Sequence, residues 1–155
     1  MKTTLKTPLG TVCIEGNENG ISKISVIEAA LENTKPTTEL AEAVQQLTEY
    51  FEGNRRIFDF KINPQGTDFQ KRVWKELLKI PFGKTISYLD LARALGDEKK
   101  IRAAASANGK NPLWIVVPCH RVIGSDGSLV GYAGGLWRKK WLLEHEQDHK
   151  QISLF

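Results

Sequence analysis

The residues with the most reactive side chains fall in one short run, Pro118-Cys119-His120-Arg121-Val122. A thiol attacks or ligates only as the thiolate, and a free thiol with pKa about 8.5 needs a base or a positive field to reach that state. His120 is a candidate base and Arg121 a source of field. Neighbouring side chains on an extended segment point opposite ways, so contact between Cys119 and His120 needs a turn or a bridging water. Taken alone, the pair reads by default as a buried thiol beside a satisfied histidine. The surrounding residues change that reading. Asn111 stands eight residues before Cys119. Gly131-Tyr132-Ala133-Gly134-Gly135-Leu136 and Arg138-Lys139-Lys140-Trp141-Leu142-Leu143-Glu144-His145-Glu146 follow it.

A second run is notable for what it lacks. Arg102 is followed by Ala103, Ala104, Ala105, Ser106 and Ala107, five small residues in a row. High helix propensity and close packing on a neighbouring helix account for such a run. Alone the run favours that explanation, but it would also let a helix press into a narrow groove, with Arg102 inserted at its start, as minor-groove binders do.

The elements that must position these groups divide near Asn63-Pro64-Gln65-Gly66. Before it, Thr11–Glu15 and Ile21–Val26 predict a β-hairpin around the turn residues 16–20. Leu40, Ala43, Val44, Leu47, Tyr50 and Phe51 predict a helix opening at Thr38 and ended by Gly53. Ile57–Ile62 alternates and is expected to pair with the hairpin, while Cys13, inside a strand pattern, is expected to be structural. After the boundary, Thr67 and Gln70 predict a capping box on a helix whose inner face is Phe69, Val73, Trp74, Leu77 and Leu78. Ser87 and Asp90 cap a short helix closed by Gly96, and Asp97 caps another from Glu98 to Asn108, closed by Gly109. Two short helices joined at Gly96-Asp97 outline a helix-turn-helix. The run 113–117 reads as strand-like.

At 155 residues the chain has room for about one domain or two small halves. No apolar run approaches the roughly 18 residues of a membrane span, and the first residues lack the apolar stretch of a signal peptide. Two cysteines are too few for a disulfide scaffold or a four-cysteine zinc site, so a cytoplasmic protein with reduced thiols is expected. The net charge of +4 is unevenly shared. Residues 1–66 carry seven Lys/Arg and nine Asp/Glu, net −2, and residues 67–155 carry fifteen and nine, net +6. The basic half is the expected partner of a polyanion.

Together, Pro118-Cys119-His120-Arg121-Val122, Asn111-Pro112, the Tyr132-Ala133-Gly134-Gly135 loop and the Leu142-Leu143-Glu144-His145-Glu146 ending resemble the O6-alkylguanine-DNA alkyltransferases, also called methylated-DNA–protein-cysteine methyltransferases. Ser87-Tyr88 and Arg102-Ala103 match further upstream. The resemblance is specific over residues 67–146. It implies a small ribonuclease-like α/β domain over 1–66 and a mainly α domain over 67–155 with a helix-turn-helix of winged-helix type. It further implies that Cys119 takes the alkyl group from guanine O6 and that His120 draws the thiol proton through a water, oriented by Glu146. Asn111 would brace the turns framing the site, Tyr88 would assist departure of the guanine, and Arg102 would fill the gap left by the extruded base. Val122 and Ala133 would line the base pocket. Ala103, Ser106, Tyr132 and Gly134 complete the substrate- and DNA-binding set.

The implied partner is double-stranded DNA bearing O6-alkylguanine, entered from the minor groove by a monomer. No cofactor or metal is implied, and with Cys13 alone before the site no N-terminal zinc site is expected. O4-alkylthymine is the implied secondary substrate. The physical logic is consistent. Guanine O6 is out of reach inside a duplex, so extrusion at a few kcal/mol must precede transfer. A thioether has no good leaving group, which makes the protein a single-turnover acceptor. Ala104-Ala105 and Trp114 depart from many relatives. Three rivals are weaker. A non-enzymatic damage sensor would lack the nucleophile, a helix-turn-helix regulator would want long polar side chains where this helix has alanine, and a cysteine hydrolase would turn over.

Overall fold

The computed structural model describes residues 1–28 and 36–152, with side chains as far as Gln147. Two compact units, Met1–Gln65 and Gly66–Phe155, divide the chain. Among the described residues no helix is long and apolar enough to cross a membrane.

The first unit is an antiparallel sheet, β1 (Lys2–Thr7), β2 (Gly10–Asn17) and β3 (Gly20–Ile27), with helix α1 (Thr38–Phe51). Val12, Ile14, Ile24, Leu40, Leu47 and Tyr50 are its core. Cys13 is buried in β2, as its strand pattern predicts. Strand β1 was not expected, because Lys2-Thr3-Thr4-Leu5-Lys6-Thr7 carries little apolar signal; it forms by pairing along β2, Lys2 opposite Glu15 through Thr7 opposite Gly10. The expected pairing of Ile57–Ile62 is largely absent. Ile62 makes a single parallel bridge to Ile21. The Asp59 amide instead donates to Gln46 Oε1 on α1 at 3.0 Å, and the Phe58 ring packs on Tyr50 at 5.4 Å. Side chains of α1 thus take the groups a ladder would have used.

The second unit opens with α2 (Asp68–Leu77), whose N-terminus carries the capping box predicted from Thr67 and Gln70. Val73, Trp74 and Leu77 are buried, but Leu78, placed on the inner face from sequence, lies past the last helical turn and is 47% exposed. Strand β4 (Ile86–Ser87) leads into α3 (Tyr88–Ala94), again with its predicted capping box between Ser87 and Asp90. Gly96, at φ +94°, makes the turn that reverses the chain, a conformation costly for residues with a Cβ. The single helix expected over 98–108 is two elements. Asp97 caps a 3-10 turn, Glu98–Lys100, and α4 then runs Ile101–Gly109 with Lys110 as its C-cap, so Gly109 belongs to the helix rather than ending it. Strand β5 (Val122–Ile123) pairs in parallel with β4, and α5 (Leu136–Ile152) ends the unit.

Helix α4 shows why its residues are small. Ala104, Ala107 and Asn108 are buried, and Trp74 Nε1 donates to the Ala107 carbonyl at 2.9 Å, so α2 lies directly on this face. Arg102, Ala103 and Ser106 are exposed on the other. A leucine at Ala104 should therefore cost about 1–3 kcal/mol through overpacking, and a leucine at Ser106 no more than about 0.5 kcal/mol. Urea unfolding of the two variants checks this; equal losses would mean the helix is turned otherwise.

Candidate active site

The strand-like run ahead of Cys119 is a series of tight turns. Asn111 is buried, and its Nδ2 donates to the Val117 carbonyl at 2.7 Å and to the Leu113 carbonyl at 3.3 Å. Its Oδ1 accepts from the Leu113 amide at 2.9 Å. One side chain thus replaces the partners a neighbouring strand would offer. Val116 N donates to Trp114 O at 2.8 Å, closing a three-residue turn with Ile115 at φ +76°. A β-branched residue at positive φ is a strained outlier, worth about 1–3 kcal/mol, and persists only where its surroundings dictate it. Leu113, Ile115 and Val117 are buried, and that burial holds the turn. A second turn of the inverse γ kind closes at Pro118 (φ −81°, ψ 64°), with Cys119 N donating to Val117 O at 2.8 Å.

Cys119-His120-Arg121 then forms one 3-10 turn, all three residues buried. On α5, Lys139, Leu142 and Glu146 recur at helical spacing on the buried face. His120 Nε2 lies 2.8 Å from Glu146 Oε2. Arg121 takes the same carboxylate with two bonds, Nε to Oε1 at 2.8 Å and its second terminal nitrogen to Oε2 at 3.0 Å, and donates to the Ile80 carbonyl at 2.7 Å. Burial by itself would raise the Glu146 pKa, but His120 and the Arg121 guanidinium hold the carboxyl ionised well below the usual carboxylate range. An ionised carboxylate only accepts, so the proton of the neutral imidazole sits on Nε2 and Nδ1 keeps its lone pair. Burial lowers the His120 pKa more than Glu146 restores it, which favours that neutral form. Nδ1 is buried and makes no hydrogen bond among the described residues. The network therefore presents a bare basic nitrogen one residue from the thiol.

Cys119 is 5% exposed, and burial pushes its thiol up to about 11, against the pull of the Asn111 side chain and of Lys139. A thiol at that value is inert at rest and depends on a base for activation. A cleft of about 590 Å³ is lined by Tyr88, Ile101, Arg102, Ala105, Gly109 and the loop Val130–Ala133, and two of these residues, Tyr88 and Tyr132, feel the Cys119 charge. Tyr88 donates its hydroxyl to the Val130 carbonyl at 2.9 Å. Burial, then the neighbouring Cys119, raises the phenol pKa of Tyr88 and, well above its ordinary range, that of Tyr132. The Tyr132 ring packs against Trp114 at 5.7 Å, tilted by 51°. Gly134 closes the corner, since a Cβ there would sit 2.9 Å from both rings.

Of the residues singled out from sequence, Cys119, His120, Glu146 and Asn111 meet around the 3-10 turn, and Tyr88, Arg102, Tyr132 and Ala133 meet in the cleft wall. Ala103 and Ser106 lie on the open face of α4, and Val122 is fully buried in β5. Three residues were missed. Arg121 was read only as a field, but it clamps Glu146. Asn108 on α4 donates to the Cys119 carbonyl at 3.4 Å, joining the helix to the thiol turn. Lys139 is fully buried, and its position seven residues before Glu146 on one helix face was the available signal.

Fold and site define a class: a small ribonuclease-like sheet domain followed by a helix-turn-helix domain with a buried Cys-His-Glu-Arg cluster. The family description "6-O-methylguanine DNA methyltransferase, ribonuclease-like domain" matches residues 1–64, and "6-O-methylguanine DNA methyltransferase, DNA binding domain" matches residues 68–148. The chain is 42% identical over 154 residues to a methylated-DNA–protein-cysteine methyltransferase of Methanosarcina barkeri, covering 94% of this chain and 96% of that protein. It is 45% identical over 141 residues to the constitutive one of Bacillus subtilis, covering 85% and 86%. The crystal structure of Mycobacterium tuberculosis OGT in complex with DNA superposes with TM-score 0.86 at 42% identity, over 95% of this chain and 92% of that one. The chain belongs to the 6-O-methylguanine DNA methyltransferase family.

Removing the Arg121 clamp strands a buried carboxylate, so Arg121→Ala should lose about 3–5 kcal/mol. Acid should weaken the wild type in two steps. His120, with a folded pKa below its unfolded value of about 6.5, lowers stability as pH falls below about 6.5; Glu146 adds its loss only below about 4.3. Thermal unfolding from pH 8 to pH 3 reads both, and stability that rises on acidification would contradict the assignment.

Proposed function

We propose that this chain is a single-turnover DNA-repair methyltransferase that moves the alkyl group of O6-alkylguanine in double-stranded DNA onto Cys119. The observation that carries the reading is the tautomer that Glu146 and Arg121 impose on His120, which leaves Nδ1 free to take a proton beside a thiol otherwise held protonated. The thiol proton passes to His120 as Sγ attacks the alkyl carbon. A carbon–sulfur bond forms, the carbon–O6 bond breaks, and its electron pair stays on O6. A proton returned from the site restores neutral guanine, and the thioether remains on the protein. Tyr88 and the 130–133 loop bound the space for the purine, where the Tyr88 hydroxyl faces the departing base.

Residues 67–155 carry DNA binding and transfer, and residues 1–66 form the ribonuclease-like domain. Arg102, Ala103 and Ser106 share the open face of α4, which supports entry into the minor groove with Arg102 in the place of the extruded base. The net charge of +6 on residues 67–155 supplies the sequence-independent attraction to phosphates. All these groups belong to one unit of one chain, so a monomer suffices. O4-alkylthymine fits the same chemistry, as its alkyl group sits on an exocyclic oxygen of a poorly paired base. Two cysteines, too few for a disulfide scaffold, support a cytoplasmic setting.

Intact mass after incubation with an oligonucleotide duplex bearing O6-methylguanine should show one added methyl group, mapped to Cys119. Cys13→Ala should retain the gain and Cys119→Ala should lose it; methyl loss from DNA without a stable adduct would indicate a turning-over enzyme instead.

The α4 reading has its own test. Arg102→Ala should slow transfer from duplex DNA at least about tenfold while barely changing transfer from the free base O6-benzylguanine, which needs no extrusion. Equal slowing on both substrates would make Arg102 a support of the cleft.

A further inference from the structure

Of the three buried residues of α4, Asn108 alone is polar. It is 2% exposed and stands three residues after Ala105 and one before Gly109, both of which line the cleft. Its neighbours fix which way the side-chain amide points. Nδ2 donates to the Cys119 carbonyl at 3.4 Å. The second neighbour is the Tyr88 hydroxyl, which gives its own proton to the Val130 carbonyl at 2.9 Å and so can only accept from Asn108. Burial, then Cys119, raises the Tyr88 pKa, and the Asn108 side chain pulls it back, as a donor to the phenol oxygen does. Both neighbours being acceptors, Nδ2 faces them and Oδ1 is the free end of the amide. Oδ1 is buried and makes no hydrogen bond among the described residues. A buried acceptor without a donor is costly, and one at the edge of a binding cleft suits a ligand that brings the donor.

The chemistry of the alkylated bases narrows the choice of donor. Alkylation at O6 removes the N1 proton of guanine, so N1, N3 and N7 are all acceptors and the exocyclic 2-amino group is the one donor left on the base in DNA. O4-alkylthymine has lost its N3 proton in the same way and carries no donor at all. Extruded bases are read by hydrogen bonds to the Watson–Crick edge, and the 2-amino group lies on that edge. We propose that Asn108 is a specificity-determining residue: its Oδ1 accepts from the 2-amino group of the extruded O6-alkylguanine, and this bond sets the preference for guanine over O4-alkylthymine. A site built around a hydrogen bond rejects an analogue that lacks it, because the buried group is then left unpaired. The bonds of Nδ2 hold the acceptor in place before the base arrives, and through the Cys119 carbonyl they tie the reading of the amine to the backbone of the reacting residue.

The inference rests on the alkyl-transfer reading above, so the test has one arm that needs transfer and one that does not. In the first, O6-benzylguanine and O6-benzylhypoxanthine, which differ only in the 2-amino group, are compared as free bases, so that extrusion does not enter. The wild type should react at least about tenfold faster with the guanine, and Asn108→Leu should bring the two rates to within about twofold of each other. Loss of the bond to the Cys119 carbonyl by itself would slow both substrates together and leave the ratio unchanged. On duplexes the same variant should narrow the gap between O6-methylguanine and O4-methylthymine. In the second arm, the Cys119→Ala protein is titrated with the two benzylated bases; it should bind the guanine more tightly, and adding Asn108→Leu should remove the difference. Equal wild-type rates on the two free bases overturn the proposal whether or not Asn108→Leu folds. A variant that keeps the wild-type ratio overturns it too, with Asn108→Ala, which only removes atoms, read in its place if the leucine is not accommodated. Absence of transfer together with a binding preference that depends on Asn108 would sink the transfer reading and leave the recognition of the amine standing.

Discussion

The Glu146 carboxylate is the constraint on which the rest of the site depends. It is a charge inside the protein, tolerable only with donors on both oxygens. Arg121 and His120 provide them, and both sit on the 3-10 turn that carries Cys119. Through Arg121 the same network reaches the Ile80 carbonyl after α2. One buried anion thus ties α5 to the thiol turn and fixes the imidazole tautomer. Orientation of the imidazole and cohesion of the fold are the same set of hydrogen bonds, so neither can be relaxed without the other.

That coupling suits a thiol that is hard to ionise. Burial keeps Cys119 protonated and protects it from adventitious oxidation, since oxidation follows thiolate character and exposure. On the proposed reading, reactivity comes from a neutral imidazole that acts once an electrophile is in place. A chain that acts once loses its whole function to a side reaction, which favours an inert resting thiol over a permanently activated one.

Local signals made much of the fold legible. The capping boxes at Thr67 and Gln70 and at Ser87 and Asp90, the glycine turn at 96, and the spacing of Leu40, Ala43, Leu47 and Tyr50 are short-range patterns, and each fell where expected. What escaped was set by distant partners. Strand β1 exists because β2 does. Residues 57–62 touch the sheet only at the Ile62–Ile21 bridge, because Gln46 and Tyr50 claim Asp59 and Phe58. The turns before Cys119 look like a strand because their apolar residues are buried, but Asn111 supplies the hydrogen bonds from within. At the site, the reactive trio and Asn111 were readable from spacing and resemblance. The burial of Lys139 was not, because a lysine within the basic run 138–140 looks solvent-facing until the helix face is known, and the Arg121 clamp was not, because its partner Glu146 lies 25 residues away.

Helix α4 joins the two demands that the chemistry makes. Its buried face needs small residues so that α2 can approach closely enough for Trp74 to reach the Ala107 carbonyl. On the proposed reading its open face needs them too, as a bulky side chain would hold a duplex away from Arg102. The two requirements sit at different positions, Ala104 and Ala107 against Ala103 and Ser106, yet in sequence they merge into one featureless run. Asn108 closes the circuit: from the same helix it donates to the Cys119 carbonyl, so displacement of α4 by a badly seated duplex would be felt at the thiol turn. The polar residue at the end of an otherwise small-residue helix is thus the point where seating of the DNA and placement of the nucleophile become one geometric condition.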